Sequence, residues 1–134
     1  MDLEQMDTRA GAEQGFDLDI LNADGARTDI VITVLGADSN AYRDAIGELV
    51  RRRQQQRIRN KRFTPAPEEV EQENIELLVA ATRGWRGVRL AGQDLPFNAA
   101  NARQVYTKFP AIAEQVERAI EDRANFLPKP ASSS

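Results

Sequence analysis

Neither histidine nor cysteine occurs among the 134 residues of this chain. Without cysteine there is no disulfide scaffold, no thiolate nucleophile and no zinc site built on sulfur. Without histidine the usual general base near neutral pH is missing, together with the commonest transition-metal ligand. No apolar run approaches the roughly 18 residues of a membrane-crossing helix. The eight glycines form neither a G-x-G-x-x-G nor a Walker loop, so nothing signals a phosphate cradle. The expectation is a protein that is not an enzyme, needs no cofactor or metal, and meets no membrane.

What remains is ordinary for one globular domain. Hydrophobic residues make up 41% and charged residues 29%, and a chain of this length can bury a core without covalent staples. The net charge of -3 argues weakly against nucleic acid as the main partner. The opening "MDLEQMDTRAGAEQG" is polar and acidic, unlike a signal peptide, and a reducing cytoplasm is expected. Residues 1–15 lack an apolar period and read as a flexible lead-in. Residues 16–127 read as a single small domain, and residues 128–134, "PKPASSS", as a disordered tail.

Within the domain, Phe16, Leu18 and Ile20 alternate with Asp17 and Asp19, the period of a half-buried strand. "NADG" is a turn signal with Gly25 free to take positive φ, and Ile30, Ile32 and Val34 alternate again. A β-hairpin ending near Gly36 follows. Ser39 is placed to cap a helix on which Tyr42, Ala45, Ile46, Leu49 and Val50 recur at helical spacing. Its apolar face ends at Val50, but arginine and glutamine carry the helix on to about Asn60. "FTPAP" breaks it, since each proline disfavours helix in the preceding residue. A second helix from Pro67 or Glu68 to near Gly84 carries Val70, Leu77, Leu78 and Ala81, with Arg83 in its last turn. Val88 and Leu90 suggest a short strand and Gly92-Gln93-Asp94 a turn. Asn98 caps a helix with Ala102, Val105, Tyr106 and Phe109 inward, and Pro110 opens another bearing Ile112, Val116 and Ile120. The fold class is α+β, mainly helical: an N-terminal β-hairpin, a helical hairpin and two C-terminal helices.

Several tempting sites fail on spacing. An EF-hand loop begun at Asp17 puts Leu21 and Asn22 where an acid and a glycine belong. Ser39 has no histidine to activate it and no lysine three residues on. Glu117 and Glu121 lie one helical turn apart, but Arg118 and Arg123 surround them with countercharge, so a solvated helix face is the simpler reading.

One charge feature stands out. "RRRQQQRIRNKR" holds Arg51, Arg52, Arg53, Arg57, Arg59, Lys61 and Arg62 with no acid, and Glu68, Glu69, Glu71, Glu73 and Glu76 follow closely. Three readings stay open: an α-hairpin whose opposed charges cancel, an electrostatic docking surface for a protein, or a nucleic-acid contact. No aromatic residue interleaves the arginines, which counts against stacking on single strands. A helix without packing of its own can also order on a partner. Trp85, followed by Val88, Leu90, Leu95 and Phe97, reads either as the seat of a satellite core or as a partner surface. Arg51, Arg52, Arg53, Arg57, Arg59, Trp85 and Phe97 are therefore the candidate partner-binding residues.

The stretches "DIVITVLGADSNAYRDA" and "LLVAATRGWRGVRLAGQDLPFNAANARQVYTKFPAIAEQVERAIEDRANFL" resemble tail assembly chaperones encoded in the tail-gene cluster of long-tailed (siphovirus-type) double-stranded DNA phages and prophages. The resemblance covers about residues 28–127 and is a pattern of apolar and turn residues, not a catalytic signature; the basic run is unmatched. It implies a non-enzymatic protein of the host cytoplasm. Such a protein binds the helical tape measure protein, helps recruit tail tube subunits, and is absent from the mature virion. It implies no catalytic residues. Trp85, Leu95, Pro96 and Phe97 match the pattern without an assigned contact. Three functions remain to be separated: a chaperone that oligomerises or wraps its client, a structural tail or head–tail joining protein kept in the particle, and a nucleic-acid-binding regulator using residues 51–62.

Overall fold

Alternation in "FDLDIL" and a dense β-branched run in "RTDIVITV" build the strands β1 (Phe16–Leu21) and β2 (Arg27–Val34). They pair antiparallel from Phe16↔Val34 to Leu21↔Arg27 around a turn in which Gly25 takes φ 88°. The computed structural model describes residues 1–128. Of the expected tail at 128–134, residues 129–134 lie outside the described residues. The chain is α+β and mainly helical, as its patterning predicts: α1 (Arg9–Gln14), the hairpin, α2 (Asn40–Arg59), α3 (Pro67–Ala80), β3 (Thr82–Arg86), β4 (Arg89–Leu90), β5 (Gln93–Asp94), α4 (Ala99–Lys108) and α5 (Pro110–Glu121).

The sheet has the order β1-β2-β3, all antiparallel. Leu18, Ile32 and Trp85 lie in register across it, as do Phe16, Val34 and Thr82. That face meets a helical layer carrying Ile75, Leu78, Ala81, Ala102, Val105, Tyr106, Val116, Ala119 and Ile120. Each large aliphatic side chain buried there contributes roughly 1.5–3 kcal/mol. The caps follow local rules: Ser39 Oγ accepts from the Tyr42 amide, and Asn98 Oδ1 from the Asn101 amide.

Several expectations are corrected. Residues 9–14 of the supposed flexible lead-in form α1, and Ala12 is buried in the core. Small residues let this helix dock, since a side chain on Gly11 would strike the backbone of Phe126. The helix expected to reach Gly84 stops at Ala80, and Arg83 and Gly84 belong to the third strand. Period-two alternation hid this strand because its pairing slips opposite Thr33 and Val34, leaving Arg83 out of register. The turn placed at Gly92-Gln93-Asp94 falls instead on Ala91 and Gly92, both at positive φ, and closes a two-residue hairpin whose second strand takes Gln93 and Asp94. Val70 is 42% and Phe109 38% exposed rather than inward-facing. Val70 precedes the part of α3 that reaches the core, and Phe109 sits at the joint where Pro110 starts α5.

Candidate partner-binding site

α2 has twenty residues and none of them is buried. Tyr42, Ala45, Ile46 and Leu49 form its half-buried inner stripe, and the same stripe continues as Arg53 and Gln56. α3 begins equally exposed, and its first buried residue is Ile75. No residue from 40 to 74 is buried, so the distal part of this helical hairpin forms an arm held by partial contacts.

The arm is held at Glu73. Arg53 donates to this carboxylate and Arg52 lies 4.0 Å from it, with the Glu73 side chain only 12% exposed. The Arg53 guanidinium also sits 5.7 Å from the centre of the Phe63 ring. At its other end α3 is fixed by Glu76, which receives two bonds from Arg103 of α4. Those bonds hold the Glu76 carboxyl below its ordinary range, against the opposing effect of burial. Opposed charges on the two helices therefore cancel only in part. Arg51 turns to Glu48 at 3.1 Å, while Arg57 and Arg59 have no ion-pair partner among the described residues.

Between the two helices runs a groove of about 450 Å³ lined by Leu49, Val50, Arg53, Arg57, Val70 and Glu73, with Pro65 at its end. Val50 is 49% exposed. Of the five candidate arginines, Arg53 and Arg57 line the groove.

Trp85 and Phe97 form a separate group. Their rings meet edge to face at 5.1 Å and 83°. The indole N–H donates to the Leu95 carbonyl at 2.8 Å. Both rings are half-buried and pack against the core, so they pin the segment that follows β3 onto the sheet. The arm tip and Trp85 flank opposite ends of α3, a helix roughly 20 Å long at about 1.5 Å per residue. The seven candidate residues thus do not converge on one site.

Glu73 and Glu76 were visible in the sequence only as members of an acidic block, with nothing to single them out. No family model, curated protein or solved structure matches the chain. Among the described residues no helix is long and apolar enough to cross a membrane.

Proposed function

We propose that the chain is a non-enzymatic tail assembly chaperone of long-tailed double-stranded DNA phages and prophages. It acts in the host cytoplasm, where it holds the tape measure protein soluble and helps bring tail tube subunits to it. The resemblance over about residues 28–127 supports the phage-tail context. The arm is the observation that carries a binding role. Its helices expose Val50, Ile58 and Val70 on a hairpin that buries no residue of its own from 40 to 74. A chain folding for its own stability gains little from such exposure, whereas a protein that covers another's helices needs it.

Co-expression with the tape measure protein of the same tail-gene cluster tests the reading. The soluble fraction of that protein is expected to rise, and an unchanged fraction would overturn the chaperone role. Mass spectrometry of purified virions then separates the chaperone, which is expected to be missing, from a structural tail or joining protein, which would be present.

A further inference from the structure

We propose that the groove between α2 and α3 is the docking site for an amphipathic helix whose apolar stripe is bordered by carboxylates. The proposal rests on the chaperone reading for the existence of a client, and on the groove for that client's chemistry.

Leu49, Val50, Pro65 and Val70 give the groove an apolar floor. Its charged rim is uneven. Glu73 is the one acid in the lining, and Arg53 and Arg52 already neutralise it. Arg57 lines the same groove with no ion-pair partner among the described residues. Within the lining the surplus is one positive charge, Arg53 and Arg57 against Glu73, so an occupant with acids beside its apolar stripe is favoured over one with bases.

The shape of the groove selects a helix. Its walls are two helices and offer no sheet edge, so an extended segment would leave its backbone N–H and C=O groups unpaired against side chains. A helix satisfies those groups internally and packs ridges into the groove. The α2 wall from Leu49 to Arg57 covers about 12 Å, two turns, so the occupant presents apolar residues at i, i+3 or i+4, and i+7.

A second copy of the chain fits poorly. The apolar stripes of α3, α4 and α5 are already spent on the core through Leu78, Val105 and Val116. The exposed apolar residues flanked by acids at the N-terminus, Met1, Leu3 and Met6, lie in or beside a helical segment of only four residues, Leu3–Met6, too short to present two turns. Single-stranded nucleic acid fits poorly too, because no aromatic ring lines the groove for stacking.

The test is fluorescence anisotropy with two labelled synthetic helical peptides. Both carry the same leucine stripe, bordered by glutamate in one and by lysine in the other. The full chain at low salt is expected to bind the glutamate peptide roughly tenfold tighter or more. Val50→Asp is expected to remove that binding while melting like the parent, since Val50 is half exposed. Arg57→Glu is expected to shift preference toward the lysine peptide. Equal affinity for both peptides, absence of binding, or full binding by Val50→Asp would overturn the proposal. So would sedimentation showing a dimer of the chain from which the glutamate peptide is excluded. Should Val50→Asp still solubilise the tape measure protein on co-expression, the groove would fail as the site while the chaperone reading stood.

Discussion

Asp38 and Arg123, 85 residues apart, meet in a two-pronged ion pair, Nε to Oδ2 at 2.8 Å and Nη2 to Oδ1 at 2.9 Å. The Thr8 hydroxyl donates to the same carboxylate at 2.6 Å. One side chain thereby ties the start of α1, the loop before α2 and the turn after α5. The Arg123 bonds foremost, and the Thr8 bond next, hold the Asp38 carboxyl well below the usual carboxylate range. Asp38 thus stays ionised in the folded chain at a pH where the unfolded chain takes up a proton. Its contribution is present above the unfolded value near 4 and is lost as the pH falls toward the lowered folded value. Glu76 acts in the same direction through Arg103. Asp38→Asn is expected to melt at a lower temperature at about pH 6 and to lose less on going to about pH 3. Thermal melts by circular dichroism check both, and an acid loss as steep as the parent's would remove Asp38 from the effect.

Tyr106 is buried, and its hydroxyl lies 2.6 Å from Thr82 Oγ1, which itself donates to the Leu78 carbonyl. Burial pushes the phenol up to about 12. A raised value in the fold means stability is fully present below the unfolded value near 10 and is lost as pH rises through the folded one. Tyr42 is raised as well, by burial and then by Glu121 and Glu117. The phenolate absorbance step is therefore expected above pH 10, together with alkaline unfolding. Tyr106→Phe is expected to cost about 1 kcal/mol at neutral pH and to move the alkaline midpoint upward. A normal two-tyrosine step near 10 before any loss of helix signal would contradict this.

Gly87 has φ 77°, and a Cβ there would fall 2.1 Å from the Asp29 carbonyl oxygen on β2. Gly25 also has positive φ, 88°, but open space around it. Gly87→Ala combines backbone strain with collision and is expected to cost roughly 3 kcal/mol, against about 1 kcal/mol for Gly25→Ala. Denaturant midpoints of the two variants measure the difference. Equal costs would mean that the strand shifts to make room.

These residues show what the sequence could and could not convey. The β-hairpin, the Ser39 and Asn98 caps and the unsupported run of α2 were legible because each is written in neighbouring residues. β3 was not, because a five-residue strand with a bulge carries no clean period. α1 was hidden for another reason: its stability is tertiary, from Ala12 and Gly11 against Phe126, and local composition holds no trace of that contact. The arginine run was legible as charge, but its split between Glu73 and the open groove depends on which helical face each residue takes. The same limit applies to Trp85, whose partner Phe97 was in view while the indole bond to Leu95 was not.

Trp85→Ala removes the ring contact with Phe97 and the indole bond to Leu95, and is expected to cost about 3 kcal/mol. Phe97→Ala costs less once Trp85 is gone, because the two share one contact. A double-mutant cycle is expected to give a coupling of about 1 kcal/mol. Additive costs would mean that each ring packs on the core independently.

The arm is expected to be the least protected helical region of the chain. Opening it exposes little buried apolar surface, since its residues from 50 to 72 include none in the core. Its main lock is the Arg53–Glu73 pair, whose side chains are 17% and 12% exposed. Hydrogen exchange should find amides of residues 52–59 opening far more readily than those of Ile32 and Val105, which can open only with the core. Glu73→Gln is expected to speed exchange in the arm alone, since the core helices keep the Glu76–Arg103 link. Exchange that quickens equally at Val105 would show the arm to be a cooperative part of the domain. It would then be too rigid to adapt to a client, and the groove would have to act as a preformed slot.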